Sequence, residues 1–420
     1  MNQYETHVME QQFSQAGFVL VPSDHEADIY VVNSCTVTAT SDQKTRKTVR
    51  HYKRLHPNAV VVLTGCYSQA FPEAARLLLE ADVITGTHPR GIVLQLVRRF
   101  LETGERQCQI NPFSRDEQFE PMSASQHAEK TRAFVKIEDG CERYCTYCII
   151  PTSRGPVRSK LLEDLKKEVQ ALSGQGYQEV VLVGINLSCY GKDLGLGLVD
   201  AVECVCQVPG IRRVRLGSLE PELLTDEAIK RMADQEKFCP QFHLSLQSGC
   251  SATLKRMNRH YSPEEYSKLV ALLRSRFENP SITTDIMVGF PGETEDEFLQ
   301  SCAFAQTIGF AKAHVFAYSR REGTVAASRP DQIPNREKER RSREMIRVTE
   351  QTRSAFLRQQ LGRREEVLLE TRKGLFLTGY SKNYTPVYIK TSDSLEGKVI
   401  TALLTGMWED GCFGVLTKEQ

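Results

Sequence analysis

Tryptophan occurs once in the 420 residues of this chain, and only 8% of residues are aromatic. No apolar run comes near the ~20 residues that a membrane-spanning helix needs. The first residues, MNQYETHVMEQQ, are not a signal peptide. Charge imbalance is missing too: 54 Lys and Arg stand against 53 Asp and Glu, a net +1. No whole-molecule field draws in nucleic acid, so any polyanion must be met by a local patch. These absences predict a cytoplasmic protein with no membrane partner, divided into two to four domains at about 150 residues each. Cysteine, by contrast, is plentiful. Thirteen of them, an odd number at irregular spacing, argue against a disulfide framework and for metal ligands plus buried thiols.

Residues 1–106 alternate helix-like and strand-like patterns. YETHVMEQQFSQAG (4–17) reads as a helix ending at Gly17, and SDQKTRKTVRHYKRL as a basic helix capped by Ser41. ADIYVVNSC (27–35) and AVVVLTGC (59–66) read as buried parallel strands. Each ends in a cysteine, Cys35 and Cys66. Open parallel sheets place ligands at the carboxyl ends of their strands, so these two thiols could share one ligand. Residues 107–131 are polar, aperiodic and read as a linker. From 132 to 335 six strands alternate with helices, which suggests a partial (β/α)6 barrel with its site on the loops after the strands. A long charged helix is expected over 336–362 and a small antiparallel β-barrel over 363–420. The fold class is α/β: a doubly wound N-terminal domain, a central partial barrel and a small C-terminal β domain.

The sharpest feature is CERYCTYC, which sets Cys141, Cys145 and Cys148 in one loop after the first barrel strand. Three clustered thiols in a reducing compartment point to metal binding or redox chemistry. A structural zinc site wants four ligands, so zinc would need a residue from elsewhere. Three thiolates on a four-iron cluster would leave one iron open to an exchangeable ligand. Arg154 and Arg158 follow closely, as clamps for a carboxylate or phosphate or as surface groups. Near the end, Lys382, Tyr384, Arg363 and Arg364 mix positive charge with an aromatic that can stack on bases.

VKIEDGCERYCTYCIIPTSRGPVRSK resembles the cluster loop of radical S-adenosylmethionine (SAM) enzymes, in the form used by methylthiotransferases. LQSGC (246–250), GFPGET (289–294) and YSRREGTVAA (318–327), with NSCTVT and TGCYSQ near the start, match that family in order. The resemblance spans essentially the whole chain. It implies two [4Fe–4S] clusters, one on Cys141, Cys145 and Cys148 that binds SAM, and an auxiliary one that includes Cys35 and Cys66. In that family SAM is cleaved by one electron to methionine and a 5′-deoxyadenosyl radical. Positions matching the family's SAM-contacting segments are Gly184, Asn186, Gln247, Gly289, Pro291, Gly292, Glu293, Val315 and Phe316, with Arg154 a further candidate. The implied partners are a tRNA anticodon stem-loop held by a C-terminal TRAM domain, a reductase or flavodoxin-type electron donor, and a sulfur donor.

GINLSCYGKDLG, LKRMNRHYS and HVFAYSRREGTVAASRPDQIP are most similar to the branch that adds a methylthio group to carbon-2 of tRNA N6-threonylcarbamoyladenosine. Branches acting on isopentenyladenosine or on a ribosomal-protein aspartate are alternatives. From another class, so is an iron–sulfur RNA-binding protein without methylthiolation. Family members carry a further cysteine shortly before a segment like NQYET, which here follows Met1 directly. The expectation is therefore a truncated chain whose parallel sheet lacks a strand near its centre, with Cys108 the alternative third ligand.

Overall fold

The computed structural model describes residues 2–122 and 131–417. Helix Asn2–Gln15 opens the N-terminal domain and stops before Gly17, whose φ of +91° ends it. Four parallel strands follow, Ile29–Ser34, Val60–Gly65, Val83–Thr85 and Gln107–Gln109, neighbours in that order. Val60–Gly65 is buried throughout because helices cover both faces. Met9 and Phe13 pack on Val60 and Val62 on one side, and Val49 and Tyr67 on Val61 and Leu63 on the other. Two expectations need correcting. Ile29–Ser34 pairs directly with Val60–Gly65 over six residues, so the described sheet has no central gap and its unpaired edge lies outside Ile29–Ser34. Residues 107–109, expected in the linker, are the fourth strand.

The basic helix runs Ala39–Leu55 and is capped by Thr38 and not, as expected, by Ser41, which lies in its first turn and donates its N–H to the Thr38 side chain. Residues beyond the fourth strand form a strap between domains. Phe113 sits under the Arg158 guanidinium at 5.1 Å, and the Glu120 carboxylate accepts the N–H groups of Arg90 and Gly91. The rest of the expected linker, 123–130, lies outside the described residues.

The central region has two parallel ladders. Arg132–Lys136, Glu179–Val183 and Arg213–Leu216 form one; Ser218–Leu219, Gln241–Leu244, Ser281–Val288 and Lys312–Ala317 form the other. Only Gly217 separates Arg213–Leu216 from Ser218–Leu219, so the ladders trace an open six-stranded barrel. Val135, Leu182, Leu216, Phe242, Leu244 and Ile286 point out into the helix layer. Period-2 alternation then turns Lys136, Arg215, His243 and Asp285 toward the interior.

Helix Asn335–Gln360 leaves the barrel, burying Met345 and Val348 in its core and Leu357 in the next. The C-terminal domain is a closed barrel of Arg364–Lys373, Phe376–Ser381, Pro386–Lys390, Gly411–Leu416 and Val399–Trp408. Its pairs are antiparallel except Pro386–Lys390 with Gly411–Leu416. It floors the larger barrel. Arg213 donates to the carbonyls of Tyr380 (3.1 Å) and Glu366 (2.8 Å), and Arg215 to that of Lys382 (2.7 Å). Tyr384, expected to face RNA, instead stacks on Tyr380 at 4.4 Å beneath Arg132 and Arg215.

Candidate cluster and cofactor site

The loop bearing Cys141, Cys145 and Cys148 follows the first barrel strand and is pinned from two sides. Cys141 N–H donates to the Gly155 carbonyl at 3.0 Å, and Thr146 N–H to that of Met257 at 3.0 Å. The Thr146 hydroxyl reaches the Arg256 carbonyl, and Asn258 Nδ2 that of Tyr144. Each sulfur faces at least one nitrogen donor. Asn186 Nδ2 lies 3.8 Å from Cys141 Sγ, Arg259 Nη1 3.5 Å from Cys145 Sγ, and Ile150 N 3.4 Å from Cys148 Sγ. Burial pushes the Cys141 and Cys148 thiols up to about 12, and the neighbouring thiols add to it. A cationic group must therefore displace those protons to form thiolates.

Among the described residues no three His, Cys, Asp or Glu side chains converge as a single-ion site requires. Three separated thiols, each with its own N–H donor, fit an iron–sulfur cluster better than zinc.

Around that loop stand the ends of the other strands. Glu138 is fully buried, and its Oε2 accepts the Asn186 N–H at 2.7 Å. A Cβ on Gly184 would lie 2.5 Å from that oxygen and 3.0 Å from Glu138 Cβ, so a larger residue there would push the Glu138 side chain aside. Burial, then the neighbouring Asp139, pushes the Glu138 carboxyl well above the usual range. Gln247 is buried with φ +64°, a strained conformation costing about 1 kcal/mol or more outside glycine. Its backbone is fixed by the Asp285 carbonyl (2.8 Å) and the Met287 N–H (2.9 Å). Asn186 Oδ1 and Gln247 Oε1 are buried without a hydrogen-bond partner among the described residues. SAM carries the matching donors, an ammonium, two ribose hydroxyls and an adenine amine, so these orphaned acceptors fit it.

The turn 289–293 holds its own shape. Gly289 and Gly292 have φ +68° and +77°, and Glu293 Oε2 accepts from Gly289 N–H (2.6 Å) and Arg341 Nη1 (2.7 Å). The Glu293 carboxylate thus serves the turn, and Pro291 and the glycines contribute backbone. Val315 is half-buried, and Phe316 is 39% exposed on the last strand.

Arg154 lies elsewhere. It is fully buried in the interface between the first two domains, paired with Glu5, 3.4 Å from Asp139, and donating from Nε to Cys66 Sγ at 3.2 Å. Glu5 also binds Arg90 at 2.6 Å and Lys136 at 2.9 Å. Burial alone would raise the Glu5 carboxyl, yet Arg154, then Arg90 and Lys136, hold it well below the usual range. Arg158 lies 3.5 Å from Asp139 in the same network.

Ser34 and Gly65 are in register, so Cys35 and Cys66 leave adjacent strand ends. Gly65 takes φ +106° there, where a Cβ would meet the Ser34 carbonyl at 2.5 Å. No third Cys, His, Asp or Glu completes a site with them among the described residues, and Cys108 is exposed in the last strand of the sheet. Two thiols do not complete a cluster's ligand set. Sequence reasoning missed Glu5, Glu138 and Arg259, whose roles depend on partners 48 to 149 residues away, Arg90 and Arg154, Asn186, and Cys145 respectively, and leave no local pattern.

A three-thiol loop at the carboxyl mouth of an open parallel barrel defines a radical SAM protein, and comparison with known proteins agrees. A family model described as Radical SAM superfamily matches residues 135–305, and one described as Uncharacterized protein family UPF0004 matches 1–86. Threonylcarbamoyladenosine tRNA methylthiotransferase MtaB of Bacillus subtilis is 33% identical over 409 residues, covering 95% of this chain and 90% of that protein. The protein of that name from Thermotoga maritima is 35% identical over 387 residues, 91% of this chain and 88% of its own. The tRNA-2-methylthio-N(6)-dimethylallyladenosine synthase of Pelotomaculum thermopropionicum is 32% identical over 417 residues, 97% and 93%. Among solved structures, the radical SAM methyltransferase TsrM of Kitasatospora setae superposes with TM-score 0.59 at 14% identity, over 77% of this chain and 71% of that one, a likeness of fold. The chain belongs to the radical SAM methylthiotransferase family.

Proposed function

We propose that this protein adds a methylthio group to carbon-2 of N6-threonylcarbamoyladenosine in the anticodon stem-loop of tRNA. The observation that carries the reading is the Cys141/Cys145/Cys148 loop facing the orphaned acceptors of Asn186 and Gln247 at the barrel mouth. Relatives named for that nucleoside are 32–35% identical and those named for the dimethylallyl one 32–33%, so the choice between them rests on the segments GINLSCYGKDLG, LKRMNRHYS and HVFAYSRREGTVAASRPDQIP. Bound SAM and its [4Fe–4S] cluster supply a 5′-deoxyadenosyl radical. The chain's residues hold and shield: three thiolates anchor, Asn186 and Gln247 orient the cofactor's donors, and Val315 and Phe316 line its edge.

Cys35 and Cys66 are read as two ligands of an auxiliary cluster, with Arg154 fixing the Cys66 sulfur. The small barrel is read as a TRAM-type RNA-binding domain; with Tyr384 in the floor, Phe376, Trp408 and Phe413, ring centroids 4.8–6.2 Å apart, are its better stacking surface. A flavodoxin-type or reductase electron donor and a sulfur donor complete the cycle in the cytoplasm; no described helix is long and apolar enough to cross a membrane. Mass spectrometry of tRNA nucleosides from cells lacking the gene tests the reading. Loss of the methylthio derivative with accumulation of its threonylcarbamoyl precursor is expected, and an unchanged nucleoside profile would refute it.

A further inference from the structure

Helix Ala39–Leu55 takes no part in the site above, yet it holds six lysines and arginines against one acid, Asp42, in a chain whose totals are 54 and 53. Asp42 is buried against Arg321 and neutralises none of its neighbours on the helix. Gln43, Lys44, Lys47, Arg50, His51 and Arg54 are exposed and, three or four residues apart, make one stripe along a surface groove. Arg50 meets Glu80 at 3.3 Å, and Lys53 is tied to Asp82. Lys44, Lys47 and Arg54 have no acidic partner among the described residues.

Ordinary surfaces intersperse both signs of charge; this groove sets five lysines and arginines, Lys44, Lys47, Arg50, Lys53 and Arg54, against Glu80. A protein-docking site would centre on apolar and aromatic side chains and be poor in lysine. Here no apolar or large aromatic residue lines the groove, whose apolar surface is the stems of its polar side chains, and its neutral members Thr40, Gln43 and Thr48 are hydrogen-bond donors. Cations mixed with small polar donors are the set that meets phosphate oxygens. The helix also begins four residues after Cys35, so the stripe starts beside the crevice and runs outward.

Building on the tRNA reading above, we propose that this stripe binds the phosphodiester backbone of the RNA substrate, steadying it against the N-terminal domain while the target nucleotide enters the barrel. The test compares full-length wild type with a Lys47→Gln/Arg54→Gln double variant, measuring tRNA Kd across about 50–300 mM salt. Losing two phosphate contacts should weaken binding roughly tenfold at the lowest salt and make the slope of log K against log salt shallower by about 1.5–2. Lys47→Arg/Arg54→Lys should keep both values, and SAM cleavage without RNA should not change. Equal Kd and slope for the Gln variant would overturn the proposal. So would unchanged RNA binding with lost reduction by an acidic flavodoxin, which would assign the stripe to the electron donor. A wild type with no tRNA affinity would instead sink the substrate reading on which the stripe rests.

Discussion

The two thiol-bearing places in this molecule are built in opposite ways. Cys141, Cys145 and Cys148 share one loop, and their nitrogen donors come from that loop and from neighbouring strand-to-helix connections of the same barrel. Cys35 and Cys66 sit on a different domain, and the donor to Cys66 is Arg154, which reaches across from the barrel side and is neutralised by Glu5 reaching back. The first place is a local motif; the second is a property of the interface. A buried charge network holds only while every partner is present, so the second place should respond to changes far from it in sequence.

The largest expected effect separates the two at once. Cys145→Ala should take 5′-deoxyadenosine formation from SAM to background, since two thiolates cannot hold a cluster with one defined open iron. Cys66→Ala should leave that cleavage standing while methylthio product is lost. Equal loss of cleavage in both variants, read by chromatography after anaerobic reconstitution, would erase the distinction.

Next in size is removal of residues 363–420. The sequence alone suggests a detachable RNA-binding end, whose loss weakens tRNA binding and spares cleavage. The floor contacts say otherwise. Without the carbonyls of Glu366, Tyr380 and Lys382, Arg213 and Arg215 are left with Glu179 and fewer acceptors, at about 1–3 kcal/mol for each buried group left unmade. The truncated protein should melt well below wild type and lose soluble yield. A truncated protein with an unchanged melting temperature would restore the detachable picture.

Glu5→Gln probes the interface more gently. It leaves Arg154 and Lys136 with Asp139 and takes from Arg90 its ion-pair partner, and should cost about 3–5 kcal/mol in denaturant unfolding. The same residue sets a pH dependence. Its carboxyl is depressed in the folded state, so its contribution is present above the ordinary carboxylate value near 4.5 and is lost as pH falls toward the folded one. Wild type should therefore shed more stability than the Gln variant between pH 5 and pH 3. Parallel pH profiles for the two would show that Glu5 is not the group titrating.

The contrast also explains what could be read from sequence. CERYCTYC is a local spacing, and the six barrel strands are apolar runs with helices between them, so loop and barrel are legible residue by residue. Arg154 beside the loop looks like a clamp for SAM, but its partners lie 88 and 149 residues away in Cys66 and Glu5. Tyr384 looks like a stacking platform, yet Arg132 and Arg215 take both it and its neighbour into the floor. A side chain's charge and size are visible in a sequence, whereas the domain packed against it is not. The missing central strand failed for a related reason: strand order is set by tertiary pairing, and nothing local to Ile29–Ser34 says which neighbour it takes.

The smallest expected effect concerns backbone strain. Both places need a left-handed residue; beside Cys66 it is Gly65, at φ +106°, and at the barrel mouth it is Gln247, at φ +64°. Glycine takes that conformation freely, whereas glutamine holds it at about 1–2 kcal/mol. Gln247→Gly should relieve that strain while adding about 0.5–1 kcal/mol of unfolded-chain entropy to overcome. The relief equals or exceeds that cost, so thermal stability should stay level or rise by up to roughly 1.5 kcal/mol, in contrast to the plain loss glycine brings to an unstrained position. The side-chain oxygen goes with the substitution, so SAM affinity should fall by about fivefold to tenfold, the worth of one hydrogen bond near 1 kcal/mol. Isothermal titration with SAM, alongside a melting curve, reads both quantities. Lower stability with unchanged SAM affinity would make Gln247 a structural residue and leave its strain without a ligand to explain it.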